Sequence, residues 1–142
     1  MNAVLPIFRV LFAGFFFVVF LLVLSVSLGA SISVGRIAVS SILLLLAGIG
    51  NYLGNLRPNY FIGLRTPWTL ESSETWRATH RLGGKLLFFG SSALLLAEFV
   101  VPERVFIFLF VGAALLLVVW SFVYSWRHFR LCAAADRTSS SV

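Results

Sequence analysis

Residues Asn51 to Lys85 read NYLGNLRPNYFIGLRTPWTLESSETWRATHRLGGK and interrupt what is otherwise near-continuous hydrocarbon. This segment holds five of the eleven Lys and Arg residues (Arg57, Arg65, Arg77, Arg81, Lys85), two of the five acids (Glu71, Glu74) and His80. It is the polar connector between two pairs of apolar segments.

Four runs flank it. Val10–Leu28 carries no charge over 19 residues, and Ile37–Leu56 carries none either. Leu86–Val101 is only 16 residues long and contains Glu98, so its helix has to begin earlier, near Arg81 or Leu82. Val105–Trp126 is an uncharged run of 22 residues. A helix needs about 20 apolar residues to cross a bilayer core. The whole chain is 60% hydrophobic and 11% charged, with a mean hydropathy of +1.01. A soluble domain carries roughly 25% charge, so this chain cannot cover a water-facing surface. The expected fold is an all-α membrane protein with one domain over residues 1–130 and transmembrane helices at about 8–28, 36–56, 82–101 and 104–126. Residues 131–142 read as a polar, disordered tail. The first run is read as a retained helix rather than a cleaved signal, because it exceeds the ~7–15 residues of a signal's apolar core.

The formal charge of +6 is read through topology, not as a nucleic-acid footprint. An even number of spans puts both termini and the long loop on one side. That side holds nine cations: Arg9, the five in the loop, Arg127, Arg130 and Arg137. The other side holds two, Arg36 and Arg104. Excess Lys and Arg stays cytoplasmic, so both termini and the long loop are expected on the cytoplasmic side of the membrane.

Within the loop, Pro58 and Pro67 bias the residues before them away from helix, and Gly63 permits a turn. Residues 57–70 are expected as an irregular or extended hairpin. Ser72 or Ser73 then caps a short helix, with Glu71 and Glu74 near its positive end. Arg77, Arg81 and Lys85 recur every four residues and form a basic stripe. Before the loop, Gly50 and Gly54 have the small-xxx-small spacing that lets helix backbones approach. Asn51 and Asn55 share another face, serving as helix-packing contacts or as a polar lining continuous with the loop.

The loop resembles the signature of the SdpI family, whose namesake is a Bacillus immunity protein against a sporulation-delaying toxin. The matching residues are Gly50-Asn51, Pro58-Asn59-Tyr60-Phe61 with Gly63, Arg65-Thr66-Pro67-Trp68-Thr69, Trp76 with Thr79-His80, and Gly83-Gly84. The resemblance implies a multi-pass bacterial membrane protein that protects against a secreted peptide toxin. It also implies a possible cytoplasmic regulator as partner, since the namesake captures a repressor at the membrane. This chain is shorter than the larger members.

Candidate ligand or partner contacts are Asn51, Asn55, Asn59, Arg65, Trp68, Trp76 and His80. Arg65 can grip a carboxylate or phosphate bidentately, or tie the loop to helix-end carbonyls. Trp68 and Trp76 read as interface anchors or as covers over the inner mouth of the helices. Arg77, Arg81 and Lys85 are expected to meet anionic lipid headgroups, at ~1 kcal/mol per residue. Glu98 is the one acid expected inside the membrane, paired with Arg36. The two histidines and single cysteine show no metal-ligand spacing, so neither a metal, a cofactor nor catalysis is expected. Two other functions compete with toxin immunity: a small transporter or channel component using Glu98 and the Asn51/Asn55 face, and an anionic-lipid-binding module.

Overall fold

The computed structural model describes residues 4–58 and 63–139, with side chains as far as Cys132. Its helices are α1 (Val4–Ser27), α2 (Val34–Leu53), α3 (Pro67–Glu71), α4 (Ser73–Ala97) and α5 (Glu103–Ser139). All regular structure among the described residues is helical.

The four long helices run up and down in an open row, α1–α2–α4–α5, and α2 packs most extensively on α4. Small residues make that central contact possible. A Cβ on Gly84 would stand 2.7 Å from the Gly50 carbonyl oxygen, and one on Gly50 would stand 2.6 Å from the Phe88 nitrogen. One turn along, a Cβ on Gly54 would stand 3.3 Å from the Arg81 Cα. The Gly50/Gly54 spacing therefore does what such spacings do in lipid, where helices associate by close packing rather than by hiding from water. The remaining faces are apolar and exposed, as at Phe16, Phe20, Phe108 and Leu116. A helix that is apolar all round is built for hydrocarbon surroundings.

The turns follow from local chemistry. α1 stops at a Schellman motif: Gly29 takes φ 82°, its N–H bonds to the Val26 carbonyl, and the Ala30 N–H reaches back to Ser25. Pro102 precedes α5, where its missing N–H costs little.

α1, α2 and the Glu103–Cys132 part of α5 are long and apolar enough to cross a membrane. α4 falls short on composition, because Arg77, His80, Arg81 and Lys85 occupy its first half. Its apolar remainder, Leu86–Ala97, covers 12 residues, about 18 Å of helix against a hydrocarbon core of about 30 Å.

Three local expectations need correcting. Residues 67–70, expected within an irregular or extended hairpin over 57–70, lie with Glu71 in α3, because Pro67 at its first position pre-sets helical φ and Thr66 caps it. The short helix after Ser72 and the third apolar run are one continuous helix, α4; Gly83 and Gly84 are buried against α2 and do not break it. The helical path of α5 continues to Ser139, through residues read as a disordered tail. Nothing after Gly112 in that stretch is Gly or Pro, and Ala133–Ala135 are strong helix formers.

Candidate functional site

The polar connector folds into a cap over one end of the row, and three side chains on α3 and α4 hold it there. Trp76 is 0% exposed. Its indole Nε1–H donates to the Leu56 carbonyl at 3.0 Å, which fastens the chain leaving α2 to the first turn of α4. Trp68, on α3, donates from Nε1 to Ser125 Oγ at 2.7 Å and packs edge-on against Phe122. That contact ties the cap to α5.

His80 is the third tie, and its geometry settles its protonation state. The ring lies one helical turn from Trp76 and stacks on the indole at 4.0 Å. Nδ1 lies 2.9 Å from the Trp76 carbonyl oxygen, which can only accept, so Nδ1 carries the proton. Nε2 receives the Leu64 N–H at 2.9 Å, so Nε2 must be bare. Both partners are backbone groups of fixed polarity, and only the neutral Nδ1–H tautomer satisfies both. Burial pushes the imidazole below its ordinary value of 6.5, and the bond to the Trp76 carbonyl partly opposes that shift.

Gly63 completes the latch. It has φ +120°, and a Cβ there would collide with His80 Nε2 and stand 3.2 Å from the Trp76 ring. Only glycine permits this backbone next to the imidazole. Downstream, Thr66 and Thr69 form a reciprocal capping box at the start of α3, and Thr69 Oγ1 also donates to the Leu64 carbonyl at 2.9 Å. Ser72 caps α4 through the Thr75 N–H. The hydroxyls of Thr66, Thr69 and Ser72 are thus spent on backbone.

A pH dependence follows. The unfolded chain binds a proton at His80 near pH 6.5, whereas the folded chain resists until lower pH. Between the two values the unfolded state holds more protons, so stability rises with pH. The latch is expected to hold fully above the unfolded value and to weaken as pH falls through it toward the depressed folded one. Thermal unfolding in detergent between pH 8 and pH 5 should show this slope, and His80→Gln, which keeps an acceptor for Leu64, should flatten it. An equal slope in both proteins would contradict the latch.

The remaining candidates are distributed differently. Asn51 and Asn55 are exposed, since the opposite face of α2 carries Gly50, Leu53 and Gly54 to α4. Arg65 is exposed on the cap, and Arg77, Arg81 and Lys85 form an exposed stripe along α4. Asn59 lies outside the described residues. Glu98 sits at the far end of the row, 5% exposed, and receives a hydrogen bond from Ser40 Oγ at 2.7 Å. Arg36, the expected ion-pair partner, is exposed and lines with Glu98 and Glu103 a cleft of about 110 Å³. Sequence reasoning missed Ser40, Leu64, Thr66 and Ser125. Thr66-Pro67 was the available signal, a capping residue followed by proline.

The profile of the SdpI/YfhL protein family matches residues 55–125, half of the chain, which takes in the described cap, α3, α4 and most of α5. Immunity protein SdpI of Bacillus subtilis (strain 168) is 29% identical over 96 residues, 68% of this chain and 46% of that protein. The chain therefore spans about half the length of the curated relative it matches. No solved structure matches. With a family profile matched over half of its length and helices apolar enough to cross a membrane, the chain belongs to the SdpI/YfhL protein family.

Proposed function

We propose that this protein confers immunity to a membrane-active peptide toxin by binding or shielding, not by catalysis, from the bacterial cytoplasmic membrane. In this reading all four long helices cross. α4 does so because Lys85 and Arg81, near its start, can snorkel to the headgroups on the cap side. The cap and both termini face the cytoplasm, where nine of the eleven cations collect.

The observation that carries the proposal is the family match over the cap and the helices that hold it, together with the likeness to Immunity protein SdpI. The non-catalytic part has its own support. His80 is the cap's imidazole, and both of its nitrogens are committed to backbone partners, so it is not poised as a general base. Arg65 and Trp68 are the residues proposed to meet a partner, either the toxin or a cytoplasmic regulator. The Arg77/Arg81/Lys85 stripe is proposed to rest on anionic headgroups.

The test is survival. Toxin-sensitive bacteria expressing the chain are challenged with a panel of secreted membrane-active peptides. Protection against at least one peptide is expected, with protection reduced by Arg65→Ala and Trp68→Ala at equal membrane levels. Unchanged killing across the panel, with insertion confirmed, would contradict the proposal.

A further inference from the structure

Away from the latch, the first turn of α4 meets the late part of α5 through a different set of side chains. Glu74, His128 and Cys132 place a carboxylate oxygen, a ring nitrogen and a sulfur within 4.8 Å of one another. His128 and Cys132 are one helical turn apart on α5, and Glu74 comes from a separate helix. Cys132 Sγ lies 3.5 Å from His128 Nδ1. Two ligands on one tetrahedral zinc, at about 2.3 Å for sulfur and about 2.05 Å for nitrogen, stand roughly 3.5 Å apart. This pair therefore already has the edge length of a tetrahedral site. The Glu74 carboxylate, exposed and within 4.8 Å of both other donors, is placed to supply the third corner.

We propose that Glu74, His128 and Cys132 bind a divalent transition metal of zinc's type. The donor set selects the class of ion. A thiolate and an imidazole favour zinc and its neighbours, whereas magnesium and calcium take oxygen. The charges also balance. Binding releases one proton from the thiol, leaving a thiolate, a carboxylate and a neutral imidazole around a dication, so the cluster is neutral overall. Three protein ligands leave the fourth position to water or to a further ligand. His128 is steadied by the Tyr124 ring, whose centroid is 5.9 Å away. A bound ion would clip the start of α4 to the extension of α5, next to the Trp68–Ser125 tie. This proposal does not depend on the toxin-immunity reading.

Cobalt(II) is the spectroscopic probe, added to the full, untagged chain in detergent. One cobalt per chain is expected, with a thiolate charge-transfer band in the near ultraviolet and the visible bands of a tetrahedral ion, all lost on adding zinc. Cys132→Ser should remove the charge-transfer band. His128→Ala and Glu74→Gln should each weaken binding by at least about tenfold, a scale on which even outer-shell partners act. Alkylation of Cys132 gives a readout independent of colour: zinc should slow it in the wild type and a chelator should restore it, whereas in His128→Ala zinc should have little effect. Equal zinc protection in wild type and His128→Ala, no protection in either, or one cobalt per two chains would overturn the site.

Discussion

Replacing Trp76 by alanine is expected to lower stability by about 5 kcal/mol. Truncating a buried aromatic costs about 3–5 kcal/mol, and Trp76 is completely enclosed. The change also removes the donor to the Leu56 carbonyl and the ring on which His80 stacks. A buried carbonyl left without its partner adds about 1–3 kcal/mol. Trp76→Phe narrows the comparison, because it keeps an aromatic ring and most of the packing while removing the N–H and part of the indole. It should cost about 1–3 kcal/mol. Denaturant or thermal unfolding in matched micelles measures both. Equal stabilities for wild type and Trp76→Ala would mean that the cap is not held through this side chain.

The second large effect is expected at the crossing of α2 and α4. A methyl group on Gly84 would stand 2.7 Å from the Gly50 carbonyl, 3.2 Å from Leu53 Cβ and 3.3 Å from the Gly54 nitrogen. Most of those neighbours are backbone, so the collision cannot be relieved by turning a side chain. Overpacking costs about 1–3 kcal/mol and sometimes more, and Gly84→Ala should fall at the upper end. Gly90, six residues further along the same helix, faces open space. Gly90→Ala is the control, and its better helix propensity should leave stability unchanged or raise it by up to about 1 kcal/mol. A similar loss at both positions would mean that helix propensity, not the crossing, decides the outcome.

The crossing was legible in the residue order, because Gly50 and Gly54 sit four apart and that spacing has one common use in lipid. Its partner was not. Gly83-Gly84 carries the same composition as a helix-breaking pair, and only the presence of Gly50 opposite turns it into a contact surface. The ~20-residue apolar runs located α1, α2 and α5 because lipid demands length and little else. α4 was harder, since its basic, amphipathic first half has the pattern of a surface helix and its second half the pattern of a membrane one. Periodicity alone cannot say that the two are continuous. α3 was missed for a specific reason: the third helical residue is Thr69 and not the Glu or Gln of the usual capping box. Pro67 disfavours helix at Thr66 and at the same time pre-sets its own φ for the first turn of α3.

The candidate site was visible as a list of residues but not as a mechanism. Trp76 and His80 share a helix face by their spacing. Nothing in that spacing indicates that Leu64 brings its N–H to the imidazole, or that Gly63 must clear the way. Those facts depend on where the cap settles. The same holds for Glu74, His128 and Cys132, whose meeting depends on the packing of α4 against α5. Glu98 is buried, and its contact with Ser40 comes from the antiparallel register of α2 against α4, which no local pattern in the sequence reveals.

In the proposed topology the latched cap covers the cytoplasmic ends of four membrane-crossing helices. Accessibility to an impermeant maleimide in intact cells tests it most directly, using single cysteines in a Cys132→Ser background. Ser31→Cys, in the α1–α2 turn, and Val100→Cys, in the α4–α5 turn, should both be labelled from outside. Glu71→Cys, at the end of α3 in the cap, should react only after the membrane is opened. Labelling of Glu71→Cys in intact cells, or protection of Val100→Cys alongside labelled Ser31→Cys, would contradict the account.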